Sequence, residues 1–217
     1  MSGGALILAG GWRGHQPRQT ARILAAALRD GGLAVDVETT LRALDDGSRL
    51  RRLSLVVPIW TMGRLSWDRQ ERLRDAVAVG VGLGGVHGSG DAFRSATEYQ
   101  YVLGGQFVAH PGGDGVEYDV EIAATDHPVT RALRNFTVCS ERYYLHVDPS
   151  VDLLASTPVE APDGRVFPMP VAWARTFGRG RVFYSALGHS PAIVSQPEVL
   201  ELTVRGLLWA AGRDGNA

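Results

Sequence analysis

The stretch LGGVHGSGDAF, residues 83–93, leads an apolar, strand-like segment into His87 and Ser89, which glycines flank. The following residues can form a helix, so the stretch is typical of a strand-to-helix turn. In α/β enzymes this tight turn usually presents a nucleophile. Here His87 occupies that position, and an imidazole can serve as a general base, a metal ligand or a hydrogen-bond donor. The structural alternative is a polar side chain that satisfies backbone groups of the turn.

The sequence before this turn alternates strands with helices. Apolar runs predict strands at 5–9, 33–37, 53–59 and 79–86, and helical spacing predicts helices at 16–29 and 66–79. The run 53–59 is apolar throughout, as expected for a parallel strand that is covered on both faces. This alternation predicts an α/β fold with a doubly wound, mostly parallel sheet and helices on both faces.

The second half of the chain has a different pattern. Strand-like segments at 115–123, 136–147 and 151–155 follow one another without long helices, and 168–176 with 180–187 predicts a β-hairpin turned at 178–180. A last helix is predicted at 197–211. No internal repeat or linker is visible, so we expect residues 1–217 to form a single domain.

Composition excludes several classes of function. The chain has 217 residues, a net charge of -1 and 22 basic residues, all of them Arg. Without lysine there is no Schiff-base or phosphate-loop lysine, and the balanced charge gives no reason to expect a nucleic acid or a membrane as partner. The single cysteine, Cys139, permits no intrachain disulfide and is expected to be a buried apolar residue. The beginning of the chain resembles a first strand and not a signal peptide, so we expect a cytoplasmic protein.

Polar and aromatic side chains follow the predicted strands where ligands of such sheets bind, beyond the carboxyl ends. They are Trp12 and His15 after the first strand, Trp60 and Thr61 after the third, His87 and Ser89 after the fourth, and His189 after the last. His87 and His189 are therefore candidate catalytic residues that can meet across one crevice. For His189, the alternative is an ordinary turn residue before Pro191.

Glu141 is the third candidate catalytic residue, because it interrupts an apolar and aromatic segment. A carboxylate there must face the crevice or be paired, since burying it alone is costly. It can orient a histidine or bind a metal, or it can form an ion pair with an arginine. Tyr143 shares its face if the segment is a regular strand.

The remaining candidates are substrate-binding and metal-binding residues. Trp12, Trp60 and Tyr143 can form an aromatic wall for a sugar ring, although core packing is the commoner role of Trp. His15, Ser89 and His110 complete the candidate substrate-binding set. No local metal motif is present. A site for a divalent ion such as zinc can nevertheless be formed by residues that are distant in sequence, namely His15, His87, His110, Glu141 and His189.

Six segments together resemble the trehalose-utilisation, ThuA-like family: GGVHGSGDAF, GGQFVAHP, HPVTRAL, SERYYLHV, PVAWARTFGRGRVFYSALGHSP and VLELTVRGLLWAAG. The resemblance covers nearly the whole chain and implies a flavodoxin-like sheet similar to class I glutamine amidotransferases. In those enzymes the turn carries a cysteine, and a His-x-Glu pair follows the last strand. Here His87 replaces the cysteine and Pro191 replaces the glutamate, which implies that thioester hydrolysis of glutamine is lost. The segment GWRGH departs from the family pattern and leaves the role of His15 open.

Three functions follow as hypotheses. The first is an enzyme of trehalose, disaccharide or keto-sugar metabolism that uses histidine acid/base or metal-assisted chemistry. The second is a non-catalytic sugar-binding or regulatory module. The third is a hydrolase with Ser89 as nucleophile, although a G-x-S-x-G turn would need glycine at positions 87 and 91, which are His87 and Asp91. The expected partner is a small sugar, and homo-oligomer formation is left open.

Overall fold

A nine-stranded sheet organises residues 3–213, which are the residues that the computed structural model describes. The strands are β1 (Ala5–Gly11), β2 (Val35–Glu38), β3 (Leu55–Thr61), β4 (Gly82–Val86), β5 (Gly105–Ala109), β6 (Val116–Ile122), β7 (Phe136–Ser140), β8 (Tyr144–Val147), β9 (Asp152–Glu160), β10 (Val166–Phe177) and β11 (Gly180–Ser185). The sheet has the order β2-β1-β3-β4-β11-β10-β9-β6-β7, and β5 pairs with β8 in a separate two-stranded sheet. The helices are α1 (Pro17–Asp30), α2 (Gly47–Leu50), α3 (Trp67–Ala78), α4 (Thr97–Leu103), α5 (Pro191–Val194) and α6 (Pro197–Ala210).

The first five strands of this order are parallel to one another. Residues of β1 and β3 are buried on both faces, which explains their continuous apolar sequence. Helices α1 and α6 cover one face through residues such as Leu24 and Leu202, whereas α3 and α4 cover the other through Leu73 and Val102. The predicted α/β fold with helices on both faces is confirmed.

The strands β10, β9, β6 and β7 extend the sheet with antiparallel pairing. The predicted hairpin forms from β10 and β11, and the predicted last helix is α6. The predicted strand 136–147 is wrong as one element, because residues 141–143 separate β7 from β8. Helices α2 and α5, strand β5 and its pairing with β8 were not predicted, and α4 was predicted only as a possible helix after the turn, without bounds.

Cys139 is exposed, so the prediction of a buried residue is wrong. Its neighbours Val138 and Ser140 on β7 are buried, and alternation along the strand therefore turns Cys139 outward. Within residues 3–213, no helix is long and apolar enough to cross a membrane.

Candidate functional site

One oxygen of Glu141 lies at the centre of a cluster of imidazoles beyond the carboxyl ends of the parallel strands. Oε2 of Glu141 is 3.2 Å from Nε2 of His87, 3.2 Å from Nδ1 of His189 and 3.9 Å from Nε2 of His15. His15, His87 and Glu141 are buried, and the side chain of His189 is 15% exposed. The sheet thus brings together residues from four separate parts of the sequence.

His87 begins the short 3₁₀ turn His87–Gly90 directly after β4, and its φ of 42° lies in the left-handed region. This conformation is unfavourable for a residue with a side chain and is found where the surrounding structure imposes it. Nδ1 of His87 donates to the carbonyl oxygen of Ala186 at 2.7 Å. The neutral ring therefore keeps its lone pair on Nε2, which faces Glu141.

Tyr143 contacts the same nitrogen. Its hydroxyl lies 2.9 Å from Nε2 of His87, and the two rings stack with centroids 4.3 Å apart. Burial raises the pKa of Tyr143 far above its usual value, so the hydroxyl keeps its proton and donates it to His87. Tyr143 is thus a hydrogen-bond donor inside the cluster.

His15 ends a 3₁₀ turn, Arg13–His15, that follows β1. Its Nδ1 lies 2.8 Å from Oγ1 of Thr61, the last residue of β3, which directs Nε2 toward Glu141. The turn after β4 can approach His15 and Thr61 this closely because residue 88 is a glycine. A Cβ atom at Gly88 would lie 2.0 Å from Oγ1 of Thr61 and 2.9 Å from Nδ1 of His15.

His189 follows β11 and completes the cluster. Its buried Nδ1 has no hydrogen-bond partner within residues 3–213, although Oε2 of Glu141 is 3.2 Å away. Its Nε2 lies 3.6 Å from Oδ2 of Asp114. A buried nitrogen without a hydrogen bond is uncommon in proteins and often marks a site for an ion or a ligand.

Electrostatics favours neutral imidazoles around an ionised carboxylate. Burial, reinforced by His87 and His189, lowers the pKa of His15 from 6.5 to about 3. Burial also lowers the pKa of His87. Burial acts to raise the pKa of Glu141, but His87 in its protonated form, which can donate from Nε2, and the charges of protonated His189 and His110 outweigh burial and lower the pKa to about 2. Near neutral pH, the lone pairs of neutral imidazole nitrogens therefore face the negatively charged carboxylate of Glu141.

This arrangement suits a divalent cation. One donor atom from each of His15, His87, Glu141 and His189 lies within 4.8 Å of the others. The second ring nitrogens of His15 and His87 are held by Thr61 and Ala186, as is usual for metal-binding histidines. Imidazoles with one carboxylate are donors that zinc accepts.

His110, also predicted as a candidate ligand, lies at the rim. Its side chain is 44% exposed, and its Nε2 is 4.0 Å from Oε1 of Glu141, the oxygen that the other histidines do not face. Its ring stacks near Phe107. The geometry therefore separates His110, on the solvent side, from the four clustered residues.

The aromatic candidates lie around the cluster. Trp12 is 46% exposed and packs edge-on against His15, with ring centroids 4.7 Å apart. Trp60 is partly buried, packs near Phe93 and lines a small cavity beside His15 and His87. Ser89 lies in the turn with a buried Oγ that has no hydrogen-bond partner in residues 3–213, and so no base contacts it.

Two contacts of the cluster were not predicted from the sequence. The carbonyl oxygen of Ala186 orients His87, and no side-chain pattern signals a backbone acceptor. Asp114 reaches His189 from the loop HPGGDG, residues 110–115. The glycines around this aspartate, in a loop that begins with a candidate histidine, are the signal that could have identified it.

Comparison with known proteins gives one family match. A family model described as ThuA, trehalose utilisation, matches residues 4–210. No curated protein matches the chain. The fold is similar to that of a ThuA-like protein from Parabacteroides merdae, with a TM-score of 0.77 and 20% identity over 96% of this chain and 90% of that one.

Two further solved structures have the same fold. A ThuA-like protein from Bacteroides uniformis aligns with a TM-score of 0.77 and 19% identity, over 96% of this chain and 91% of that one. A cytoplasmic protein from Salmonella typhimurium aligns with a TM-score of 0.66 and 15% identity, over 96% of this chain and 97% of that one. At these identities the likeness concerns the fold alone.

Proposed function

Because this chain belongs to the ThuA, trehalose utilisation, family, we propose that it is a metal-assisted enzyme acting on trehalose or a related disaccharide, or on a keto derivative of one. The observation that carries the proposal is the convergence of His15, His87, Glu141 and His189 on one point. Isomerisation and hydrolysis of a keto-sugar are the two reactions that this set of groups suits best.

The donor set favours a first-row transition ion such as zinc over magnesium or calcium. Three imidazoles with one carboxylate form a nitrogen-rich site, whereas magnesium and calcium prefer oxygen ligands. Nδ1 of His189 supports the same view, because it is buried beside Glu141 without a hydrogen bond in the described chain. A cation bound between Nδ1 of His189 and the carboxylate of Glu141 would interact favourably with both groups.

A bound ion of this kind polarises a carbonyl oxygen or lowers the pKa of water, and both effects assist chemistry at a keto-sugar. The residues of the chain have distinct tasks in this proposal. His15, His87, Glu141 and His189 would hold the ion; once Nε2 of His87 binds it, the hydroxyl of Tyr143, 2.9 Å from that nitrogen, would be free to donate a hydrogen bond to substrate. His110, on the exposed side of Glu141, is placed to exchange protons with substrate or solvent.

Glutamine amidotransfer is not part of the proposal. The turn that would carry a cysteine nucleophile begins with His87, and the only cysteine, Cys139, is exposed on the edge strand β7. For location, we propose the cytoplasm, with the structurally similar cytoplasmic protein from Salmonella typhimurium as support.

The test is elemental analysis of the protein purified without chelator, followed by assays on trehalose and its keto derivatives. We expect about one transition-metal ion per chain, and loss of that ion in His87→Ala and Glu141→Gln. His146→Ala is the matched control, because His146 is an exposed histidine on β8 outside the cluster. Absence of metal from the wild type, even after reconstitution with zinc, would refute the metal site. Sugar binding without turnover by the metal-loaded protein would instead indicate a binding module.

A further inference from the structure

A second cavity lies beside the cluster and is not used by the proposed chemistry. Its volume is about 580 Å³, within the range of about 300–1,000 Å³ typical of small-molecule sites. The start of β8, the end of β9 and the start of β10 form its walls, through Tyr144, Glu160 and Phe167. The cavity therefore has room for a ligand fragment of sugar size.

Tyr143 connects this cavity to the cluster. Its side chain lines the cavity, and its hydroxyl lies 2.9 Å from Nε2 of His87. Pro111, another lining residue, directly follows His110, whose Nε2 is 4.0 Å from Oε1 of Glu141. The cavity is therefore adjacent to the cluster, with Tyr143 and the segment at His110 and Pro111 between them.

The lining has the chemistry that recognises a pyranose ring. Tyr144 and Phe167 meet edge to face, with ring centroids 6.2 Å apart, and offer aromatic surface to the C–H face of a sugar. Arg142 and Glu160 line the same cavity, and neither forms an ion pair within residues 3–213. Their opposite charges favour a neutral ligand with many hydroxyl groups over an anion.

We propose that this cavity is the subsite for the second ring of a disaccharide whose first ring lies at the histidine and glutamate cluster. The inference rests on the proposed function and specifies its substrate class as a two-ring sugar. Tyr144 and Phe167 stack on the second ring, and Arg142 and Glu160 hydrogen-bond its hydroxyls. A monosaccharide at the cluster does not reach these four side chains.

The experiment is calorimetric titration of the metal-loaded protein with trehalose and with glucose. In Phe167→Leu and Tyr144→Leu we expect trehalose affinity to fall about tenfold, with glucose affinity and metal content unchanged. Glu160→Gln, at an exposed position that tolerates substitution, should weaken trehalose binding about threefold. Tyr101→Leu, at an exposed tyrosine that does not line the cavity, is the matched control and should bind both sugars as the wild type does.

Three outcomes would overturn the subsite. These are variants that bind trehalose like the wild type, variants that lose trehalose and glucose equally, and a wild type that prefers glucose or binds neither sugar. Metal content is measured on the same samples, so failure of the subsite and failure of the metal site are distinguished. Melting temperatures of the leucine variants identify any loss that comes from unfolding.

Discussion

Nδ1 of His87 donates a hydrogen bond to the carbonyl oxygen of Ala186 over 2.7 Å and so ties the turn after β4 to the end of β11. Because the acceptor belongs to the backbone, the orientation of the imidazole is fixed by the pairing of two neighbouring parallel strands. Nε2 is left facing Glu141 at 3.2 Å. The sheet itself therefore builds the centre of the candidate site.

The cluster should make stability depend on pH in the acid range. Folding lowers the pKa of His15 from 6.5 to about 3, so between these values the unfolded chain binds more protons than the folded one. Stability contributed by the neutral ring is present above pH 6.5 and is lost as pH falls toward 3. Glu141, with its pKa lowered from 4.5 to about 2, adds a loss in the same direction at lower pH.

Chemical denaturation of the metal-free protein at pH 7, 5.5 and 4 measures this effect. We expect the free energy of unfolding to fall progressively, by an amount on the order of 2 kcal/mol across the range. His15→Gln should flatten the profile, whereas His146→Gln should leave its shape unchanged. A His15→Gln profile that parallels the wild type would contradict the assignment.

Added zinc should stabilise the folded protein. An ion that binds only the folded state adds about 2.7 kcal/mol at a concentration of 100 times its dissociation constant, which raises the melting temperature by several degrees. Glu141→Gln and His189→Gln should abolish the increase. His110→Gln should retain it, because His110 faces the other oxygen of Glu141. Loss of zinc stabilisation in His110→Gln would place this residue among the ligands.

Much of this site could be predicted from sequence, because parallel strands deliver their carboxyl ends to one edge. This rule predicts that His15, His87 and His189 lie at the same edge of the sheet. The position of Glu141 could not be predicted in the same way, because residues 141–143 interrupt the predicted strand and separate β7 from β8. The carbonyl of Ala186 and the small sheet of β5 and β8 depend on tertiary pairing, which local patterns do not contain.

Tyr143→Phe tests the role of the Tyr143 hydroxyl, which lies beside His87. The phenyl ring keeps the stacking on His87, so the fold and the metal content should be preserved. Because Tyr143 keeps its proton, its hydroxyl can act as a hydrogen-bond donor; removing one such donor to developing charge typically lowers kcat about 10²–10³-fold, and we expect a decrease in that range with little change in KM. Steady-state kinetics on the active sugar measures this split. A variant with wild-type kcat would exclude Tyr143 as that hydrogen-bond donor.

Ser89→Ala distinguishes the metal-assisted enzyme from a serine hydrolase. Oγ of Ser89 is buried without a hydrogen bond in the described residues, so its removal should leave the melting temperature unchanged or slightly higher. Activity should be retained, and a fluorophosphonate probe should not label the wild type. Covalent labelling that disappears in Ser89→Ala would establish the hydrolase instead.

Gly88→Ala tests the close packing of the turn after β4 against His15 and Thr61. The added Cβ would lie 2.0 Å from Oγ1 of Thr61 and 2.9 Å from Nδ1 of His15, so both groups must move. Overpacking of this kind costs about 1–3 kcal/mol, and displacement of His15 should also weaken zinc binding. Gly47→Ala is the control, because the nearest atoms to its Cβ are in ordinary contact at 3.6 Å. Thermal unfolding with and without zinc should show both losses in Gly88→Ala alone; equal behaviour of the two variants would mean that the turn has more room than the geometry indicates.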